Sequence, residues 1–253
     1  MGFRIAQISD IHCGDARFSE KILKHFISKI NSFEPDLVVI AGDLTADGYK
    51  EQFEAAKKYI DLIKCSEKMI ITGNHDCRNV GYEHFENIFG QRFDQKTFEI
   101  NDKGEPDRRL SIMTVDSSQP DMNEGAVGRD KYKYIDSFFG GKDKEKDLKI
   151  LVLHHHLIAI PGTGRERNVV DDAGDLLKKI TDLGINVVLS GHKHVPYIWK
   201  LNNTHLISSG TGGTMRIRGS VMPSINLFEM NKDNIDYNRL YSDGIEESEI
   251  LKL

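Results

Sequence analysis

The chain has 253 residues, of which 39% are hydrophobic and 29% charged, with a formal net charge of −5. That is an ordinary globular composition, long enough for a single cored domain over residues 1–253, and its negative balance argues against a broad nucleic-acid-binding surface. No apolar stretch is long enough to span a bilayer, and the first apolar run begins too early to leave room for a signal peptide. The three cysteines, Cys13, Cys65 and Cys77, match neither a zinc spacing nor a disulfide framework. The expectation is a cytoplasmic protein.

In chain order, Phe3–Ser9 predicts a buried strand that runs into Asp10-Ile11-His12. Glu20–Phe33 has apolar residues at Ile22, Leu23, Phe26, Ile27 and Ile30, which is helical spacing. Asp36–Ala41 predicts a second strand, ending in Gly42-Asp43. A helix over Glu51–Cys65 leads to a strand over Lys68–Thr72, which ends in Gly73-Asn74-His75-Asp76. A helix over Glu83–Phe89 precedes two strands, Thr97–Ile100 and Arg109–Asp116, joined by the polar turn Asn101-Asp102-Lys103-Gly104. Asp130–Phe139 is helical and Gly140–Asp147 a charged loop. Lys149–Leu153 predicts a strand that runs into His154-His155-His156. A helix over Asp171–Leu183, with Gly184 as its cap, leads to the strand Asn186–Ser190 and then to Gly191-His192-Lys193-His194. Beyond His194, Pro196–Leu201 and Thr204–Ser209 flank Asn202-Asn203 as a hairpin. Ser224–Met230 and Ile235–Leu240 form a second antiparallel pair. Periodicity therefore gives an α/β chain with an antiparallel C-terminal part.

Five apolar runs thus end on oxygen or nitrogen donors. Ligands of open α/β sheets bind beyond the carboxyl ends of the strands, so these residues are expected to converge on one sheet edge. Seven of the ten histidines fall inside the five endings; His25, His84 and His205 do not, and are read as ordinary polar residues. In an extended Asp-x-His or His-x-His both side chains face one side. Gly42, Gly73 and Gly191 each precede a donor and allow a sharp turn or a close approach. The donors are carboxylate, amide and imidazole without thiolate, which suits hard or borderline divalent metals. The loop Pro161–Asn168 carries Arg165 and Arg167, whose forked guanidinium groups match phosphate geometry and predict a substrate clamp. Arg216 and Arg218, in the glycine-rich stretch Gly210–Gly219, have the same claim.

The ordered set Asp-x-His, Gly-Asp, Gly-Asn-His-Asp, His and Gly-His-x-His resembles the calcineurin-like metallophosphoesterase family, and within it the class III cyclic-nucleotide phosphodiesterase branch. The resemblance covers Asp10 to His194. It implies a four-layer sandwich of two mixed β-sheets flanked by helices, and two divalent metal ions (Mn, Fe or Zn). One metal site would take Asp10, His12 and His194, the other Asn74, His155 and His192, with Asp43 bridging them through its two oxygens. The family pattern sets a Pro after the histidines where this chain has Leu157; that alignment selects His155, with His154 the alternative. His75 would stand beside the phosphate as a catalytic residue, oriented by Asp76, with Asp47 as another candidate partner. Asn74, His75 and His156 would contact substrate. The activity implied is hydrolysis of a small phosphodiester, cyclic nucleotides included, by a hydroxide shared between the metals. Phosphomonoesters, nucleic-acid phosphodiesters and a non-catalytic interaction scaffold are the competing readings. No membrane partner is expected, and assembly with further copies of the chain stays open.

Overall fold

The computed structural model describes residues 2–102, 105–164 and 168–253. Three strands, β1 (Phe3–Ile8), β2 (Leu37–Ala41) and β3 (Lys68–Ile71), pair in parallel. Helices α1 (Glu20–Phe33) and α2 (Lys50–Ile60) make the crossovers, and α3 (Gly81–Phe89) follows β3. A long antiparallel pair, β4 (Phe93–Asp102) and β5 (Glu105–Val115), opens a second sheet. After α4 (Arg129–Phe139), that sheet continues in parallel with β6 (Leu148–Val152) and, past α5 (Ala173–Asp182), with β7 (Val187–Ser190). The hairpin β8 (Tyr197–Leu201) and β9 (Thr204–Ser208) completes it. The chain then returns to the first sheet with the antiparallel run β10 (Ser224–Met230), β11 (Asn234–Tyr241) and β12 (Glu246–Lys252). Both sheets are six-stranded, in the orders β12-β11-β10-β1-β2-β3 and β4-β5-β6-β7-β9-β8.

Alternation along each strand sorts the core into layers. Ile5, Val39, Ile71, Ile112, Ile150 and Leu189 meet between the sheets. Ala6, Ile8, Val38 and Ile40 face outward against Phe26, Ile30, Phe53 and Phe85 of α1 to α3. Met113, Leu151 and Val188 face outward on the other side against Ile135, Phe139, Leu176 and Ile180 of α4 and α5. The result is the expected four-layer sandwich. Among the described residues no helix is long and apolar enough to cross a membrane.

Local departures have local causes. Helix α2 stops at Ile60 rather than Cys65 because Asn31 of α1 captures the next turn. Its side chain accepts from the Lys64 amide (2.7 Å) and donates to the Leu62 carbonyl (3.0 Å). Strand β12 has no apolar alternation to announce it: within EESEILK only Leu251 is buried. Its charged face instead suits an edge strand, where it discourages further pairing.

The five donor-bearing strand ends do not share one sheet edge. Three belong to the first sheet and two to the second, so the edges of both sheets supply the site. A buried polar tie holds these edges in register. Gln7 of β1 donates to the Ser190 carbonyl at the end of β7 (3.0 Å) and accepts from Asn226 (2.9 Å), which in turn accepts from the Tyr237 hydroxyl (2.9 Å). Gln7→Leu removes the tie and orphans the buried Asn226 amide. The unfolding free energy is expected to fall by about 1–3 kcal/mol in urea denaturation; an unchanged midpoint would show that the tie carries no energy.

Candidate metal centre

The donors project from tight turns rather than from extended strand. Asp10 (φ 55°), His12 (φ 53°), Asp43 (φ 53°), His192 (φ 74°) and His194 (φ 58°) all have left-handed backbone. Asp and His tolerate this region better than most residues, yet such conformations cost on the order of 1–3 kcal/mol each. The pairs Asp10/His12 and His192/His194 therefore converge through repeated left-handed turns, not through the strand alternation expected from their spacing. Gly42 (φ 86°) makes the same turn ahead of Asp43, and a Cβ there would stand 2.6 Å from His154 Nδ1. A Cβ on Gly73 would overlap Asp43 Oδ1.

Two donor groups result. In the first, His12 Nε2 and His194 Nε2 are 3.0 Å apart, and Asp10 Oδ1 is 3.8 and 3.2 Å from them. In the second, Asn74 Oδ1 lies 3.3 Å from His154 Nε2 and 2.9 Å from His192 Nδ1. Asp43 stands between the groups. Its Oδ2 is 3.6 Å from His12 Nε2 and 3.4 Å from His154 Nε2, while Oδ1 accepts the His75 amide at 2.8 Å. One oxygen thus faces both groups, where both oxygens were expected to share the task.

His154, not His155, enters this cluster. Residues 150 and 152 of β6 point between the sheets, and His154 continues that parity. Its Nδ1–H donates to the Ala41 carbonyl (2.8 Å), which aims Nε2 at Asp43. His155 faces the other way: Nδ1 meets the Ser117 hydroxyl (2.9 Å) and Nε2 the Asn123 carbonyl (3.2 Å). His156 is buried, and its ring stacks on that of His192 with centroids 5.7 Å apart, so it supports a donor rather than opening on substrate space.

Asp76 does not orient His75. It is fully buried and accepts from the amides of Leu44 (3.0 Å), Thr45 (2.9 Å) and Gly73 (2.9 Å) and from the Thr45 hydroxyl (2.7 Å). The partner of His75 is the Ala46 carbonyl, which takes Nδ1–H at 2.5 Å. Asp47 instead pairs with Arg78 (3.3 Å).

Burial keeps three of the imidazoles neutral: it pushes His12 and His155 down to about 3, and His192 well below its ordinary value. His154 goes the other way. Burial opposes its charge too, but the adjacent Asp43 carboxylate raises it to about 10. Burial works to raise Asp43 in turn, and the charges of His154 and His75 hold it well below the usual carboxylate range. Burial and the Asp43 charge push Asp76 up to about 7, against the pull of its amide donors. Buried carboxylates faced by ring nitrogens form a vessel for positive charge. Asp10, His12 and His194, and likewise Asp43, His154 and His192, offer ligand atoms that all lie within 4.8 Å of one another. The residues fit divalent metal ions of the oxygen- and nitrogen-preferring kind. His75 also lies within that reach of His12 and Asp43.

A cavity of about 400 Å³ opens over the cluster, with Asp43, Asn74, His75, His192 and His194 on its floor. Its wall includes Arg17, Arg78 and Asn123, which the sequence did not single out, and Arg216 and Arg218, which it did. Asn123 accepts from Asn74 Nδ2 (3.2 Å), which turns the Asn74 oxygen toward the histidines, and from Arg78 (2.9 Å). Arg165 and Arg167 lie outside the described residues.

Residues 3–196 match the family model described as calcineurin-like phosphoesterase. The chain belongs to this family, and with it to the hydrolases of phosphoric esters. A probable cyclic nucleotide phosphodiesterase of Synechococcus is 28% identical over 168 residues, which are 65% of this chain and 60% of that relative. A 3′,5′-cyclic-nucleotide phosphodiesterase of Nostoc is 25% identical over 218 residues, covering 81% of this chain and 76% of its own length. The fold also matches a dimetal phosphatase from Danio rerio with a TM-score of 0.73 at 11% identity, covering 99% of this chain and 98% of the other.

Asp76 holds three backbone amides of the metal-facing loops. Asp76→Ala is therefore expected to lower the unfolding free energy by about 3 kcal/mol or more and to reduce the metal content found by elemental analysis. A stable, metal-loaded but inactive variant would return Asp76 to the catalytic set.

Proposed function

We propose that the chain is a phosphodiesterase that works with two divalent metal ions. The observation that carries this reading is the single Asp43 oxygen placed between two donor groups on the floor of a cationic cavity. Asp10, His12 and His194 would hold one ion and Asn74, His154 and His192 the other, with Asp43 standing between the two groups. When bound, such a pair supplies Lewis acidity and makes water a nucleophile near neutral pH.

The chain's own residues then position the ester. His75 has Nδ1–H committed to the Ala46 carbonyl, so its chemistry is confined to Nε2. In the neutral ring that atom accepts from Arg216 (3.4 Å); in the charged ring it carries the proton that the leaving oxygen needs. Arg216 lies beside it and offsets charge that develops on the phosphoryl oxygens. The relatives named as cyclic nucleotide phosphodiesterases support a diester over a monoester. Mn, Fe and Zn all suit the donors. The three cysteines are free and buried, which suits a reducing cytoplasm.

The test is elemental analysis of purified protein together with hydrolysis of bis-p-nitrophenyl phosphate, then of 2′,3′- and 3′,5′-cyclic nucleotides. Up to two metal ions per chain and loss of activity on chelation are expected. Asp43→Ala should abolish turnover and leave the circular dichroism spectrum unchanged; full activity in that variant, shown to be metal-free, would sink the mechanism. His75→Ala should keep its metals and lose roughly 10²–10⁴-fold in kcat. Stoichiometric loss of metal from it would make His75 a ligand instead. Cleavage of monoesters alone would move the protein to the phosphatases.

A further inference from the structure

The cavity wall carries more positive charge than a simple diester can use. Among the described residues the lining holds five cations, Arg17, Arg78, Lys193, Arg216 and Arg218, against one carboxylate, Asp43. This concentration stands in a chain whose formal net charge is −5. Among the described residues the lining has one aliphatic side chain, Ile217, and no Phe, Tyr or Trp.

Two of the arginines are fixed beside the centre. Arg216 reaches His75 Nε2 at 3.4 Å, the edge where the scissile phosphate would be worked on. Arg78 is anchored on Asn123 (2.9 Å), the residue that also orients Asn74. Each of these two has an acidic neighbour, Asp15 at 3.7 Å from Arg216 and the half-exposed Asp47 at 3.3 Å from Arg78, so among the described residues the charge without a carboxylate partner is that of the outer arginines. Arg17 and Arg218 are exposed at the mouth.

A diester carries one negative charge, which metal ions at the floor would already offset. The guanidinium groups would then repel one another over a filled site. A ligand with further negative charge relieves that repulsion, and planar arginine forks favour phosphate as its carrier. We propose that the substrate is a phosphodiester bearing a second phosphate group, gripped by the wall arginines Arg78 and Arg218 while the diester lies on the metal centre. A plain 3′,5′-cyclic nucleotide would leave most of this wall unused. This inference rests on the phosphodiesterase reading above.

The test compares two ligands that differ by one phosphate, adenosine 5′-phosphate and adenosine 3′,5′-bisphosphate. Both are titrated calorimetrically into the metal-loaded enzyme and run as inhibitors of bis-p-nitrophenyl phosphate hydrolysis. The bisphosphate should bind at least ten times more tightly. In Arg78→Gln/Arg218→Gln that preference should fall to within about twofold, because paired Arg–phosphate contacts are lost. In Lys58→Gln/Lys133→Gln, which removes the same charge from outer helices, it should persist. Equal affinities in the native enzyme, a preference that survives loss of the arginines, or one that also vanishes in the lysine variant would each overturn the inference. The calorimetric arm does not need turnover. A failed diester assay with an intact bisphosphate preference would thus refute the phosphodiesterase reading and leave the second-phosphate pocket standing.

Discussion

The geometry of the centre hangs on the buried carboxylate of Asp76. It holds the amides of Leu44 and Thr45 after β2 and of Gly73 after β3, so two loops from neighbouring strands share one anion. Asp43 lies just ahead of the first loop and Asn74 within the second. Asp43 repeats the device one step nearer the cavity, accepting the His75 amide with Oδ1 and leaving Oδ2 for the donors. Asp10 does the same across the sheets, accepting the His192 amide at 3.0 Å. Each carboxylate at the centre is thus also a clamp on backbone, and a shift in one loop would be felt by the next.

These clamps explain how five donor residues stay in left-handed backbone. Isolated turns of this kind would relax. Here hydrogen bonds to Gly42, Asp43 and Leu44 carbonyls fix the Asp10–Cys13 turn from the side, and the surrounding core has no room to rearrange. Strain of this sort gathers where side chains must be presented rather than packed. The site is preorganised because the fold holds it against local preference.

Fold and site were legible to different depths. Strands whose faces are both buried, such as Leu37–Ala41, announce themselves as unbroken apolar runs, and α1 announces itself by spacing. The charged edge strand β12 has no such pattern. At the site, the motifs carried the donor types, but position within a motif depends on strand parity. His154 continues the inward face of Ile150 and Val152. That parity was present in the sequence and would have chosen it over His155. The role of Asp76 was not readable, since its partners are amides of residues 44, 45 and 73, which no side-chain pattern encodes. Arg78 and Asn123 were silent for the same reason: tertiary placement, not local context, brings them to the wall.

The donors come from both sheets, and this makes the centre a rivet through one end of the core. A cation that binds the folded chain and not the unfolded one adds RT ln(1 + [L]/Kd) to stability, about 2.7 kcal/mol at a hundredfold excess over Kd. Against a typical total of about 5–15 kcal/mol, that is enough to change how often the sheets part. Proteases in a cell sample those openings. Metal supply would then govern not only how many molecules are active but also how long each one survives.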